Sequence, residues 1–271
     1  MTRKTRKSKS TEVATWDAEL AKQAEIAAGM EASAGGGQFF STKGGQLSWQ
    51  DAPLPGNEMA VIILDHIFET VYYEGRYDPD TPQSPTAFAF GRDEKELRWH
   101  ENSDPEFAGE LCSESEVCEW GSADTGRGKA ARETRRLAMI PAGQFDRNGD
   151  FEMFEEEDHY ANTTVGFMKL PVTSVKGFAN FVKQVAGALK RPPFGIIARV
   201  AVVPDAKTQF KVVFETIEKV PDELMGVIME RREEVMEIID FPYQRDEEEQ
   251  APAPKRGRGK PSDRDWETTL N

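Results

Sequence analysis

The chain has only two cysteines, Cys112 and Cys118, among its 271 residues. Two thiols six positions apart in a hydrophilic stretch do not provide a disulfide framework, so they favour a reducing compartment. No apolar run approaches the length that spans a bilayer, and the basic first ten residues lack the apolar core of a signal peptide. We therefore expect a cytoplasmic protein with no membrane partner.

Motifs for catalysis are also missing. Gly121 and Gly126 have the separation of P-loop glycines, but Arg127 and Gly128 intervene before the lysine, and Ala130 replaces the hydroxyl residue that holds magnesium. The sequence contains neither the serine elbow of hydrolases nor the histidine pair of zinc proteases. We therefore predict that the protein is not an enzyme.

A metal-dependent nuclease is the third of three functional hypotheses. Two-metal chemistry needs carboxylates that are fixed on rigid elements. The acidic run from Glu155 to Asp158 is consecutive, so its neighbouring side chains diverge and no scaffold orients them. A solvated charge run is the simpler interpretation.

Charge is unevenly spread along the chain, whose formal net charge is -14. Acidic residues are concentrated at 146–160 and 244–250, whereas basic residues are concentrated at 127–136 and in the first ten positions. Phosphate binding depends on local Lys and Arg, and a mean charge says little about either face of a protein. The acidic total therefore does not exclude a nucleic-acid ligand.

The composition divides the chain into a core and two ends. Residues 1–37 are basic and then Ala-rich, and they end in three glycines, which predicts a flexible arm. Residues 244–271 are charged and have too little apolar surface to fold, which predicts a disordered tail. The core is predicted at 38–243, with an inserted loop rich in Gly, Cys and Arg at 101–130.

Hydrophobic periodicity in the core favours strands. Five or more β segments are predicted, and residues 194–203 and 208–217 form the clearest antiparallel hairpin. Helical spacing predicts one helix between strands, at 173–189, and one C-terminal helix, at 223–239. The pattern indicates a β-rich α+β protein, which we interpret as an OB-like antiparallel barrel with an inserted loop, one inter-strand helix and one C-terminal helix. A generic α+β sheet is the competing architecture.

The segment CEWGSADTGRGKAARETRRL, residues 118–137, is the most informative in the chain. Its glycines expose the backbone, Trp120 offers a face on which a base can stack, and cations that can reach phosphates follow closely. These cations are Arg127, Lys129, Arg132, Arg135 and Arg136. The alternative is a solvated loop whose arginines pair with the acidic residues at 146–160.

Aromatic residues on predicted strands supply further candidates for base stacking. Sequence-tolerant single-strand binding combines such rings with nearby cations. Most strand aromatics belong to the core, so we expect one or two of these five to contact a ligand. The aromatic candidates are Phe39, Phe40, Trp49, Tyr72 and Tyr73, and the cations near them or on the later hairpin are Lys43, Arg199, Lys207 and Lys211.

His100, Cys112 and Cys118 are candidate zinc ligands, because imidazole and thiolate suit that ion and a glycine-rich loop gains from a metal staple. Three ligands do not close a structural site. The alternative is two reduced thiols and an unrelated histidine. We therefore expect no cofactor, with zinc as the candidate if one binds.

The sequences FAFGRD and EWGSADTGRGKAARETRRLAMIP, together with a histidine and two cysteines between them, resemble phage proteins grouped with single-stranded-DNA-binding proteins. The resemblance covers Phe88 to Ile140 and extends more weakly over residues 200–215. In that family a further cysteine commonly stands at the position of Ala131, which implies that this chain has lost a metal ligand.

The resemblance implies sequence-independent binding of single-stranded DNA in phage replication or recombination, in the cytoplasm of the host cell. It also implies an acidic C-terminal tail that competes with DNA and recruits replication or recombination proteins. Asp246 to Glu249, and Asp263 to Glu267 around Trp266, have the required charge. The second hypothesis is a protein-binding replication or recombination mediator without direct DNA contact.

Overall fold

The computed structural model describes residues 39–75, 84–125 and 127–243. The predicted arm and tail therefore lie outside the described residues. Within those residues the chain forms one large mixed sheet with few helices, which confirms a β-rich α+β fold. The strands are β1 Phe39–Ser41, β2 Ser48–Trp49, β3 Ala52–Pro53, β4 Glu58–Tyr72, β5 Ala87–Gly91, β6 Arg132–Phe145, β7 Phe151–Met153, β8 Gly166–Lys169, β9 Ile196–Asp205 and β10 Gln209–Lys219. The helices are α1 Glu157–Asn162, α2 Val172–Gln184 and α3 Met225–Ile238.

Two long strands, β4 and β6, form the centre of the sheet and pair antiparallel with each other. The first half of β4 also pairs with β9, and its second half pairs with β5. The sheet order is β10-β9-β4-β6-β8-β1-β2-β3, with β7 beside β6 and β1 parallel to β8. The two ends of β4 therefore belong to different parts of the molecule.

Both faces of the sheet are covered, which explains the continuous apolar run in the first half of β4. Alternate strand residues point to opposite faces. Val61 and Ile63 belong to the core that includes Phe178 of α2, whereas Ile62 and Leu64 belong to the core that includes Ile228 of α3. The two helices therefore occupy opposite sides of the sheet.

The predicted hairpin and helices are confirmed. Strands β9 and β10 pair along their length around the turn after Asp205. The inter-strand helix is α2, followed by a π-helical turn at Val185–Leu189 that ends at Lys190 in a left-handed conformation with φ 55°. The C-terminal helix is α3, preceded by a 3-10 turn at Asp222–Leu224.

The acidic segment at 146–160 is more structured than a loop. Strand β7 pairs with the end of β6, where Phe151 stands opposite Phe145. Tyr160 of α1 is buried, and its hydroxyl donates to the carbonyls of Ala142 and Phe154. A few apolar side chains among many acids are sufficient to anchor this segment, but they are too sparse to produce a periodic signal.

The sheet is not closed among the described residues, because no strand pairing joins β3 to β10. The barrel is therefore not confirmed by strand pairing. None of the helices in the described ranges is both long and apolar enough to cross a membrane.

Candidate nucleic-acid interface

A narrow loop stands over the start of β6. The backbone N–H of Ala131 donates to the Val117 carbonyl at 2.8 Å, and the N–H of Gly121 donates to the Gly128 carbonyl at 2.7 Å. Gly121 and Gly128 have φ values of 103° and 94°, which residues other than glycine rarely adopt. Gly121 and Gly128 therefore shape the loop. Trp120 is 82% exposed beside the first of them.

A cleft of about 660 Å³ lies between this loop, the end of β4 and the junction of β8 with α2. Its lining includes Tyr72, Tyr73, Arg132 and Lys169. Strand β8 pairs with β6 only from residue 136 to residue 139, so the described strands leave the first residues of β6 unpaired on that edge. The cleft occupies this open edge of the sheet.

Two cations accompany one aromatic ring in the cleft. The guanidinium carbon of Arg132 lies 5.9 Å from the centre of the Tyr73 ring, and the Lys169 Nζ lies 5.4 Å from it. Arg132 is exposed and forms no ion pair within the described part of the chain. Lys169 also donates to the Tyr73 hydroxyl at 3.4 Å. This arrangement can receive an anion beside an aromatic surface.

Lys129 also lines the cleft, but its charge is partly neutralised. Its Nζ donates to the Glu133 carboxylate at 2.5 Å. The hydrogen bond to Glu133 raises the pKa of Lys129 above its ordinary value. Asp124 is a further acid in the lining. The positive charge available to a ligand therefore rests mainly on Arg132 and Lys169.

A buried ion network lies beneath the cleft. Arg136 is fully buried, and its Nε donates to Glu69 Oε2 at 2.8 Å. The Tyr243 hydroxyl donates to Glu69 Oε1 at 2.5 Å, and Lys169 Nζ lies 3.5 Å from the same oxygen. Burial, with the nearby Glu69 charge as the next cause, raises the pKa of Tyr243 above its ordinary value. The prediction that Arg136 contacts phosphates is therefore corrected, because its side chain is fully buried and its Nε and Nη1 donate to acceptors inside the protein.

The predicted run of cations does not converge on one surface. Arg132 and Arg136 share one face of β6, and Arg135 points to the other because side chains alternate along a strand. The Arg135 guanidinium lies 3.7 Å from the centre of the Phe68 ring and 4.0 Å from the Glu94 carboxylate, and burial lowers its pKa. Arg127 is exposed on the loop. Within the cleft, the structure brings together Lys129 and Arg132 from this run.

Three predicted stacking residues lie in the cores instead. Phe40 is buried and packs against Trp49, with 4.5 Å between ring centres. Phe39 packs on Phe167 and Phe241 in the opposite core. Trp49 is half-buried and lines a second, more apolar cavity of about 550 Å³. These rings stabilise the fold, so the interpretation of Phe39 and Phe40 as an exposed platform is corrected.

None of the remaining predicted cations lines the cleft. Arg199 stands opposite Ala60 near the start of β4, whereas Tyr72 is at the end of that strand, about 40 Å away at roughly 3.3 Å per residue. Arg199 pairs with Glu58 and Glu215, and Lys211 pairs with Asp205. Lys43 and Lys207 are exposed. Arg199 therefore does not share a surface with Arg132 and Lys169.

The three candidate zinc ligands do not lie together in the structure. Cys112 and Cys118 are buried in one cluster with Ala131 and Ala89. Burial raises the pKa of these thiols to about 12 for Cys112 and about 11 for Cys118.

His100 instead stacks on Phe88, whose side chain points to the opposite face of β5 from Ala89. The described residues contain no group of three or more His, Cys, Asp or Glu side chains arranged to hold a metal ion. The structure therefore does not bring the three predicted ligands together.

Sequence reasoning missed Lys169, Glu69 and Tyr243. A signal existed for Glu69, because Glu69 and Arg136 are opposite charges within otherwise apolar strands, where unpaired charges are costly. Lys169 ends the strand GFMK and resembled an ordinary surface lysine.

Comparison of the chain with protein-family models, with curated proteins and with solved structures found no match in any of the three.

Proposed function

We propose that the protein binds single-stranded DNA without sequence preference and acts in phage DNA replication or recombination. The observation that carries this proposal is the cleft at the open edge of the sheet, where Arg132 and Lys169 accompany Tyr73. The proposal requires no catalytic step and no cofactor. It combines this geometry with the resemblance of the surrounding sequence to phage single-strand binders.

Phosphate contacts come from Arg132 and Lys169. Arg132 has no carboxylate partner among the described residues, so its charge is available to a ligand. Lys and Arg that neutralise phosphates supply most of the sequence-independent affinity. Arg127 extends the positive surface along the loop. Lys129 contributes less, because Glu133 competes with the phosphate for its ammonium group.

Base contacts come from Tyr72, Tyr73 and Trp120. Both tyrosines line the cleft, and Trp120 projects from the loop that forms its wall. Every base has a flat face, so stacking on such rings tolerates any sequence. Cleft and loop together suit a strand whose bases are unpaired, because a duplex keeps its base faces stacked inside.

We also infer that the sheet forms an OB-like barrel. Side-chain hydrogen bonds, rather than strand pairing, hold its two edges toward each other. Asn57 Nδ2 donates to the carbonyls of Gly45 at 2.9 Å and Val202 at 2.8 Å. These bonds join the segment between β1 and β4 to β9. OB folds bind nucleic acid on one sheet face and its adjoining loops, which is compatible with the position of the cleft.

The C-terminal tail is proposed to regulate this site. Residues 244–271 directly follow Tyr243, and the centre of the Tyr243 ring lies 5.4 Å from the Lys169 Nζ. The acidic run from Asp246 to Glu249 therefore begins shortly after a residue that contacts a cation of the cleft. We propose that this run competes with DNA and recruits replication or recombination proteins. Deletion of 244–271 is expected to tighten DNA binding and abolish the partner interaction.

The decisive experiment is a fluorescence titration of the full chain with oligo(dT) at several salt concentrations. Affinity is expected to fall with salt, and Arg132→Gln and Lys169→Gln are each expected to lower the log–log salt slope by about 0.7, the value for one phosphate on a single strand. Lys183→Gln, an exposed residue near the end of α2, is the matched control.

The outcomes separate the hypotheses. Failure of the unmodified chain to bind oligo(dT) at low salt would refute the proposal and favour the mediator without DNA contact. Binding with an unchanged slope in both cleft variants would place the DNA elsewhere. A slope that falls equally in Lys183→Gln would mean that total charge, and not the cleft, determines the affinity.

A further inference from the structure

We infer that Tyr243 is a positioning residue that keeps the Lys169 ammonium group available to an anion in the cleft. The inference rests on the proposed function for the identity of the anion, a phosphate of single-stranded DNA. Tyr243 lies outside the cleft lining, and it is separated in sequence from every residue that lines the cleft. Its effect is transmitted through the buried carboxylate of Glu69.

Glu69 has one strong partner on each oxygen. Arg136 Nε donates to Oε2 at 2.8 Å, and the Tyr243 hydroxyl donates to Oε1 at 2.5 Å. Lys169 Nζ lies 3.5 Å from Oε1, which is longer than the 2.7–2.9 Å of a charge-assisted N–H hydrogen bond. Both oxygens of the Glu69 carboxylate therefore accept a short hydrogen bond from a residue other than Lys169.

Lys169 is consequently held in place without being tightly bound. Its side chain is 30% exposed, and its Nζ lies 5.4 Å from the centres of both the Tyr73 and the Tyr243 rings. Glu69, by contrast, is fully buried. An ammonium group in this position can turn to a phosphate without breaking a short hydrogen bond.

Removal of the Tyr243 hydroxyl changes this balance. A buried carboxylate oxygen without a donor is costly, and the Lys169 Nζ, 3.5 Å from Oε1, is close enough to replace the lost donor. In Tyr243→Phe the lysine is expected to close on Glu69, so an incoming phosphate must compete with a short ion pair. The ring contacts of Tyr243 with Phe88 and Phe90 are retained by phenylalanine.

The test is a double-mutant cycle on the full chain, with wild type, Tyr243→Phe, Lys169→Gln and the double variant titrated against oligo(dT) and, separately, inorganic pyrophosphate. Tyr243→Phe is expected to weaken binding about fivefold, which corresponds to the loss of one ordinary hydrogen bond. It is expected to have no further effect in the Lys169→Gln background, because the route through the lysine is then already lost.

Tyr160→Phe is the matched control, because the Tyr160 hydroxyl is also buried and hydrogen-bonded but lies away from the cleft. Equal weakening in both backgrounds, or in Tyr160→Phe, would overturn the inference and indicate a general loss of stability. No weakening in Tyr243→Phe would also overturn it.

The two ligands keep the inference and the proposed function apart. If wild type binds neither oligo(dT) nor pyrophosphate, both fall. If it binds pyrophosphate alone, single-strand binding falls and the pyrophosphate cycle still decides the role of Tyr243. If it binds oligo(dT) but the cycle is additive, only the role of Tyr243 falls.

Discussion

Arg136→Met tests the assignment of this residue to the interior rather than to the nucleic-acid surface. The substitution keeps much of the side-chain volume but removes the Nε hydrogen bond to Glu69 and the Nη1 hydrogen bonds to the carbonyls of Ile239, at 3.2 Å, and Phe241, at 2.7 Å. It also removes a guanidinium that lies 4.1 Å from the centre of the Phe90 ring. The strand and the C-terminal segment lose their shared anchor.

The expected loss of stability is large. Both side chains of the Arg136–Glu69 pair are fully buried, so the substitution leaves a carboxylate in the interior with weaker compensation. Breaking a buried pair by removing one partner costs about 3–5 kcal/mol. Domains of this kind have a free energy of unfolding of about 5–15 kcal/mol, so the variant is expected to lose roughly a fifth or more of its stability.

Urea denaturation measures this loss. With an m value of about 2 kcal/mol/M, a loss of about 4 kcal/mol lowers the midpoint by about 2 M. Arg132→Met is the matched control, since Arg132 lies on the same face of β6 but is exposed, and surface substitutions usually change stability by about 0.5 kcal/mol or less. The DNA salt slope is expected to respond in the opposite way, falling in Arg132→Met and staying constant in Arg136→Met.

The double variant Arg136→Met with Glu69→Gln examines the cause. If the cost arises from an uncompensated buried charge, the neutral glutamine relieves part of it and the double variant is more stable than Arg136→Met alone. A double variant that is as unstable as the single one, or a stability loss below about 1 kcal/mol in Arg136→Met, would refute the reasoning.

Three further predictions follow from the site and the cores. Trp120→Phe is expected to remove most of the fluorescence change that oligo(dT) causes, and Trp120→Ala to weaken binding by roughly 1–3 kcal/mol; a full signal in Trp120→Phe would exclude Trp120 from the site. Burial raises the thiol pKa values from 9.0 to about 12 for Cys112 and about 11 for Cys118. The stability that these protonated thiols contribute is therefore complete below pH 9 and declines as the pH rises through the folded pKa values. The urea midpoint of the wild type is expected to fall over that pH range more steeply than the midpoint of Cys112→Ala/Cys118→Ala. An equal fall in the wild type and the double variant would contradict this. Gly143→Ala places a Cβ against the Glu152 carbonyl oxygen of β7 and is expected to destabilise by about 1–3 kcal/mol. Gly226→Ala, in open space on α3, is expected to be neutral or to stabilise by up to about 1 kcal/mol; equal thermal midpoints for the two variants would show that β7 shifts without cost.

Local patterns determined the elements of the fold. Apolar runs rich in β-branched residues were sufficient for β4, β6 and the β9–β10 hairpin, because such runs are typical of buried strands. Helical spacing was sufficient for α2 and α3, because burial on one face of a helix repeats every 3.6 residues. Short, irregular elements such as β7 and α1 carried no such repeat. Their formation depends on a few anchors, for example Tyr160, that fit sites created by the rest of the chain.

The candidate site shows the same division. Tyr72, Tyr73, Lys129 and Arg132 could be nominated from the sequence because cations and rings cluster locally in it. Only the tertiary structure decided that Arg136 is internal and that Lys169 completes the cleft. Arg132 and Arg136 lie on the same face of β6, so strand alternation does not separate them. Arg136 lies where β8 pairs with β6, beside Lys169, and the C-terminal segment at Ile239 and Phe241 covers it, whereas Arg132 lies before that pairing begins. Neither the pairing nor the covering is a property of the neighbouring sequence, because both depend on which distant segments the fold places together.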